Sequence, residues 1–249
     1  MRPTVPLSVQ LLLTFVGLLI GITAVLTTAA YTSSRDNLEA EARRNVGLAT
    51  RTREQTLTQL FQLRQHRAEG FLVSIESLCA EPLDNGRLAW VDDCLRTMVD
   101  DFRTSERALG ARLTYRTRRL RRSGRPVSIE GPDPGTLAKV IRRPDGALDY
   151  VMKATLRETA LALQFDYEEV AAQFEDQSGL GRNGEVFLVD YDGQFLSRAR
   201  HNPSTVPPDR AAEFLKYCRS GTDAFVAPDY RSVMSIQSFR PVSALGTAC

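Results

Sequence analysis

The chain has 249 residues, 43% hydrophobic and 25% charged, with 32 Lys+Arg against 30 Asp+Glu. That is a folded composition with enough length to bury a sizeable core, and it excludes a disordered chain, a collagen-like chain and a small scaffold held by disulfides alone. A formal charge of +2 gives no electrostatic case for nucleic acid, and no nucleic-acid partner is expected.

Residues 8–31, SVQLLLTFVGLLIGITAVLTTAAY, contain no Asp, Glu, Lys or Arg. About 20 uncharged, mostly apolar residues are what a helix needs to cross about 30 Å of hydrocarbon. Only helices and closed barrels satisfy their backbone groups there. The stretch therefore predicts one transmembrane helix, with residues 1–32 as cytoplasmic tip plus span. Two rivals stand beside it: a cleaved signal peptide, with Thr28-Ala29-Ala30 as its small-residue cleavage site, and a buried helix of a soluble protein. The run exceeds a signal core and no strongly basic segment precedes it, which favours the uncleaved anchor. Flanking charge leaves the orientation open, with Arg2 before the helix and Arg35, Arg43 and Arg44 after it.

The four cysteines bear on that choice. An even number in an exported chain reads first as disulfides, with Cys79 and Cys94 closing a short loop and Cys218 and Cys249 joining two elements of one subdomain. The alternative is four buried thiols. The disulfide reading places residues 33–249 outside the cytoplasm, anchored in the inner (plasma) membrane by a single pass. No CxxC occurs and neither His is near a Cys in sequence, so no metal is expected.

Residues 33–78 predict one long helix. Ser34 stands at its start, and Leu38, Ala42, Val46, Ala49, Leu60, Leu63, Phe71, Ile75 and Leu78 form a stripe spaced by threes and fours. Its upper part is too polar to be buried all round. It reads either as a stalk, paired with its copy in a homodimer, or as a helix packed on its own domain. A second helix is expected over 88–109, with Trp90, Cys94, Met98 and Phe102 on one face. Strand-like alternation follows over 111–117, 126–130, 137–141, 148–154 and 159–165, with Pro144-Asp145-Gly146 as a hairpin turn. Asp166 to Glu169 opens a short helix. Residues 185–189 and 194–199 flank the turn Asp190-Tyr191-Asp192-Gly193, 209–219 is helical, and 224–226 and 233–241 are again strand-like.

At residues 181–197, GRNGEVFLVDYDGQFLS, the sequence resembles the Cache family of PAS-like extracytoplasmic sensor domains. Gly181, Gly184, Glu185, Leu188, Asp190, Asp192 and Gly193 match its pattern of G-x-x-G-E, an apolar strand, an Asp-rich turn ending in Gly and a second strand. The passage 160–174, ALALQFDYEEVAAQF, looks like the linker between that family's two sensor folds. The resemblance implies an α+β double-Cache plan: transmembrane helix, stalk helix, then two PAS-like antiparallel sheets flanked by helices. The expected divisions are 1–32, 33–78, a membrane-distal fold over 79–175 and a membrane-proximal fold over 176–249. It also implies a receptor region that binds a small molecule and passes a displacement along the stalk to a histidine kinase, methyl-accepting or nucleotide-cyclase module. The sequence ends at Cys249, where a second span would be expected, so either this is a fragment or the output part is lacking.

The Arg run Arg112, Arg116, Arg118, Arg119, Arg121, Arg122 and Arg125 is the most conspicuous chemistry. Arg offers a planar fork for carboxylate or phosphate. Read as one strand, it puts Tyr115 and Arg119 on one face, with Tyr150 from a neighbouring strand, as a ligand-binding set for an anion such as an organic acid or amino acid. The alternatives are a solvated hairpin turning at Ser123-Gly124 and a lipid-headgroup contact. The Tyr/Arg/Trp/Tyr/Asp signature of amino-acid-binding members is not found in register. Arg198 and Arg200 are either lining residues of a second pocket or edge-strand charges. There is no Walker loop, GxSxG or HExxH, so no catalytic residue, cofactor or enzyme activity is expected. The competing classes are a membrane-anchored extracytoplasmic hydrolase or lyase, for which the sequence offers few His or paired carboxylates, and a membrane-anchored extracytoplasmic scaffolding or protein-binding domain.

Overall fold

The computed structural model describes residues 7–84, 88–115, 118–127, 131–175, 180–181, 183–201 and 205–249. The expected contacts of the Cys79 and Trp90 side chains, and the Arg116 position, lie outside the described residues. The chain divides into two compact units, Met1–Asn45 and Val46–Cys249.

Helix α1 runs Leu7–Asp84, so the apolar stretch and the long helix expected over 33–78 are one continuous helix. In the first unit its apolar residues are exposed, Leu11, Leu12, Phe15 and Leu18 among them. An 18-residue window there has mean hydropathy 2.3 and no buried residue, so this helix is long and apolar enough to cross a membrane.

In the second unit α1 buries Leu57, Phe61, Ala68, Leu72 and Ile75. Those spacings of three, four and seven residues keep one face turned to the core. The buried stripe is offset from the expected one, because Leu63 and Leu78 are exposed and only Ile75 is shared among the fully buried positions. The helix carries apolar residues on two faces, and the sheet takes the one containing Phe61. Helix α2, Leu88–Ser105, adds Leu95 and Val99 to the same core. It stops short of residue 109 as the chain turns through Arg107, whose φ is 56°.

Five antiparallel strands follow: β1 Gly110–Tyr115, β2 Arg118–Gly124, β3 Ala138–Arg142, β4 Leu148–Leu156 and β5 Thr159–Asp166. Their order is β2-β1-β5-β4-β3. The expected strand over 126–130 is replaced by β2: residues 126–127 are irregular and 128–130 lie outside the described residues. The Arg run is thus a hairpin folded back before Arg118, with Gly124 at the far end of β2. The β3–β4 turn is the Pro144-Asp145-Gly146 turn read from sequence. Arg143 N donates to Ala147 O at 2.8 Å, and Gly146 has φ 87°, a left-handed conformation that glycine adopts without steric cost.

The helix-facing side of the sheet carries Ala111, Leu113, Tyr150, Met152, Ala154, Leu161, Leu163 and Phe165, all buried. Arg64 of α1 seals this layer: its guanidinium lies 4.2 Å from the Phe165 ring centroid and donates to Glu169 Oε2 at 2.5 Å.

After α3, Glu168–Ala172, a smaller core gathers Val189, Val206, Phe214, Cys218 and Phe239. It is framed by α4, Pro208–Ser220, and the hairpin of β6, Phe225–Pro228, with β7, Met234–Gln237. Among the described residues the strands expected over 185–189 and 194–199 are reduced to isolated bridges, Val189↔Phe195 between them and Gln194↔Thr205 beside them. The reason is local. The backbone of Val189 exchanges two hydrogen bonds of 2.9 Å with Cys249, while the Asp190 carboxylate accepts the amides of Asp192 and Gln194 and closes the turn.

Cys218 and Cys249 form a disulfide, as read from the sequence, with Cα atoms 5.7 Å apart. Cys94 lies with its sulfur 3.8 Å from Met98 Sδ. The Cys218–Cys249 bridge spans 31 positions, worth about 3–4 kcal/mol on the chain-entropy model. Cys218→Ser is expected to lower the unfolding free energy by that amount, and the urea midpoint with it, and reductant to act only on the parent; equal midpoints for both proteins with and without reductant would contradict this.

Candidate functional site

The structure does not bring Tyr115, Arg119 and Tyr150 together. Tyr115 pairs with Thr159, which places it on the helix-facing side of the sheet, half-buried. Arg119 pairs with Thr114, the neighbouring position, and so lies on the opposite side, exposed. A register shift between Leu113 and Thr114 separates it from the order a single strand would give. Tyr150 is completely buried, stacked on Phe165 with centroids 5.0 Å apart and edge-on to Phe61 at 5.4 Å. It is a core residue, and its hydroxyl has no hydrogen-bond partner among the described residues.

A cavity of about 150 Å³ opens elsewhere in the second unit. That is about ten times the space one water needs, and the size at which an apolar cavity accepts a benzene-sized molecule. Four parts of the chain build it. Helix α1 supplies Val46, Thr50 and Leu57, spaced by four and seven residues and so on one face. The stretch after Gly184 supplies Glu185 and Phe187, and α4 supplies Phe214. The β6–β7 hairpin and its exit supply Asp229 to Arg231 and Ser235 to Arg240. Aromatic rings hold the wall: Phe214 meets Phe239 edge-on at 4.7 Å, and Phe187 meets Tyr230 edge-on at 5.5 Å. Across the cavity, Thr50 Oγ1 lies 3.1 Å from Ser238 Oγ, joining α1 to the strand exit.

Charge at the mouth is locked in pairs. Asp229 takes Arg231 Nε at 2.8 Å and Nη2 at 2.5 Å, and its other oxygen accepts the amides of Arg231 and Val233. Burial alone would raise the Asp229 carboxyl, but the Arg231 hydrogen bonds and these two amides outweigh it and hold the pKa below its usual 3.8. Arg231 also reaches His201 Nε2 at 2.6 Å. Tyr230 donates to Glu185 Oε1 at 2.6 Å, and the other Glu185 oxygen accepts the Arg200 amide at 2.8 Å. Burial first, and then the Glu185 carboxylate, push the Tyr230 phenol well above its usual range. Of the two arginines weighed as pocket residues, Arg200 contributes through its backbone amide and Arg198 is exposed. Among the described residues no group of three or more His, Cys, Asp or Glu is placed to hold a metal.

The sequence reading missed these residues. A signal was present: five of the eleven phenylalanines lie between 187 and 239, in a stretch otherwise read as short strands. Aromatic density of that kind marks either a small core or a cavity wall, and here it makes both.

Two outcomes follow from this geometry. Tyr150→Phe removes a buried hydroxyl with no partner, so it is expected to be neutral or to stabilise by about 1 kcal/mol in urea unfolding; a loss of 2 kcal/mol or more would assign the hydroxyl a role. Because the folded pKa of Asp229 is depressed, its contribution is fully present above the unfolded value of 3.8 and is lost as pH falls through the folded value. Asp229→Asn should therefore cost stability at pH 7, by about 1–2 kcal/mol, and the difference from the parent should shrink below pH 4; a pH-independent difference would contradict it.

The chain matches no protein-family model, and no curated protein matches it. Among solved structures it is similar to the ligand-binding domain of the Pseudomonas aeruginosa amino acid chemoreceptor PctC in complex with GABA, at 17% identity and TM-score 0.50, over 83% of this chain and 96% of that one. It is similar to the ligand-binding domain of the Pseudomonas fluorescens chemoreceptor CtaA in complex with L-isoleucine, at 12% identity and TM-score 0.51, over 86% and 92%. The sensory domain of the Campylobacter jejuni chemoreceptor Tlp3 follows at 12% identity and TM-score 0.51, over 80% and 85%. At these identities the likeness is one of fold: residues 46–249 adopt the α+β architecture seen in the sensory domains of bacterial chemoreceptors.

Proposed function

We propose that the chain is the extracytoplasmic, small-molecule-sensing region of a receptor anchored in the plasma membrane by the apolar part of α1. The cavity walled by α1, α4 and the β6–β7 hairpin is its ligand site. The carrying observation is that Val46, Thr50 and Leu57, which line the cavity, belong to the same unbroken helix as the apolar segment. A ligand there contacts the element that leads to the membrane. It shifts the balance between two seatings of that helix by its differential affinity for them. The complexes of PctC with GABA and CtaA with L-isoleucine support a small molecule as the signal.

The divisions 79–175 and 176–249 correspond in this reading to the sheet layer on α1 and α2 and to the smaller aromatic core. A homodimer through the exposed face of α1, where Leu63, Val73 and Leu78 lie, belongs to the same proposal. A scaffolding domain would be served by a filled interior; the cavity favours the sensor. A histidine kinase, methyl-accepting or cyclase module is the output such a region would drive.

The test is a thermal-shift screen of the full chain against amino acids, organic acids and neutral small molecules. A true ligand at about 100 times its Kd should raise the Tm by roughly 5–10 °C, and Ser238→Trp, which fills the cavity, should abolish the rise. A screen in which no compound moves the parent, or in which Ser238→Trp responds like the parent, would refute the assignment.

A further inference from the structure

We infer that the cavity ligand is an uncharged molecule with an apolar, ring- or branched-chain body and one hydrogen-bonding group, and not a zwitterion or a carboxylate. The inference rests on the reading of this cavity as the ligand site. It concerns the chemistry of the occupant, and it departs from the charged ligands of the structurally similar domains.

The argument begins with the charges. The lining holds three guanidinium groups, Arg53, Arg231 and Arg240, and three carboxylates, Glu54, Glu185 and Asp229, so the site has no net charge to offer. The groups around the mouth are also engaged within the protein. Arg231 and Asp229 hold each other through two hydrogen bonds. Arg240 pairs with Asp223 through Nη2, and its buried Nε–H has no hydrogen-bond partner among the described residues. Glu185 takes the Tyr230 hydroxyl on one oxygen and the Arg200 amide on the other. Glu54 accepts the Thr58 hydroxyl at 3.2 Å. An entering carboxylate could meet the Arg240 Nε–H, but that guanidinium is already balanced by Asp223, and the lining as a whole is neutral; to be neutralised, an entering carboxylate or ammonium would have to lose its water and draw one of these groups from its present partner.

What remains to meet a ligand is apolar and neutral-polar. Leu57, Phe187, Phe214, Ile236 and Phe239 present carbon surface. Thr50, Asn183, Ser235, Gln237 and Ser238 present hydroxyls and amides; Gln237 Nε2 is already given to Ala227 O and Ser235 Oγ, and Thr50 Oγ1 to its own helix backbone, but a neutral alcohol, phenol or amide can exchange such bonds without uncovering a charge. Thr50 and Ser238 already share a bond of 3.1 Å, so a ligand hydroxyl inserted between them exchanges one neutral hydrogen bond for two. The volume of about 150 Å³ sets the size near that of a benzene ring. A site of this kind selects by exclusion of charge as much as by fit.

The experiment uses four molecules with one ring in common: benzyl alcohol, benzoate, benzylammonium and L-phenylglycine. Binding of each to the full chain is measured by equilibrium dialysis at pH 7, with Ser238→Trp and Ser235→Trp as two independent cavity-filled controls. Benzyl alcohol is expected to bind at least tenfold more tightly than each charged analogue, with that preference lost in either control that folds. Benzoate or L-phenylglycine binding as tightly as benzyl alcohol would overturn the inference. So would benzyl alcohol binding equally to parent and controls, which would mean uptake by the apolar helix and not by the cavity. Charged ligands from the thermal-shift screen that lose binding in Ser238→Trp would overturn the charge argument and leave the sensor reading standing. The absence of any ligand in either experiment would remove both.

Discussion

Everything in residues 46–249 depends on the seating of α1 on the five-stranded sheet. Leu57, Phe61, Ala68, Leu72 and Ile75 are at most 3% exposed. At about 1.5–3 kcal/mol for each large apolar side chain, this face is a major source of stability in the unit. The geometry has a further effect. With Phe61 wedged against Tyr150 and Arg64 stacked over Phe165, the helix is held in one rotational setting. That setting turns Val46, Thr50 and Leu57 toward the cavity. The core contact and the ligand contact are therefore made by one face of one helix. Packed interfaces tend to have discrete alternatives and not a continuum, so a ligand that favours one seating acts on the whole element.

The second half of the cavity is held by different forces. Apart from α4, its wall is irregular chain that forms, among the described residues, a two-stranded ladder and isolated bridges. Regular secondary structure contributes little there. Cross-links do the work instead: the Cys218–Cys249 bridge, the paired backbone bonds between Val189 and Cys249, and the Asp229–Arg231 and Glu185–Tyr230 contacts. A firm wall on α1 faces a wall tied at a few points, which is the arrangement expected where one side must adjust to an occupant.

The large features were legible because each has a strong, local physical signature. A charge-free run of 24 residues is long and apolar enough to predict a helix of membrane-crossing length, and α1 covers it; Pro144-Asp145-Gly146 specifies its own turn. The glycine- and aspartate-rich passage at 181–193 carried the resemblance, and Asp190 does close that turn with its carboxylate. Other features depend on information that lies far away in the chain. The fold-back before Arg118 turns one apparent strand into two, and it reverses the side on which Arg119 falls; alternation alone cannot reveal a hairpin whose turn has no glycine. Tyr150 was read as a ligand partner because a polar-tipped aromatic on a strand is ambiguous, and burial under Phe61 decides it. The cavity was invisible for the same reason. Its walls come from residues 46–57, 174, 180, 183–188, 214 and 229–249, and no local pattern unites them.

The central claim is that the signal molecule sits against α1 and the β6–β7 hairpin. Hydrogen exchange followed by mass spectrometry, with and without a molecule that raises the melting temperature of the full chain, tests it most directly. The account predicts added protection over residues 46–57 and 229–240, with the β1–β2 hairpin at 110–124 unchanged. Protection confined to the five-stranded sheet, with residues 46–57 and 229–240 unaffected, would contradict it.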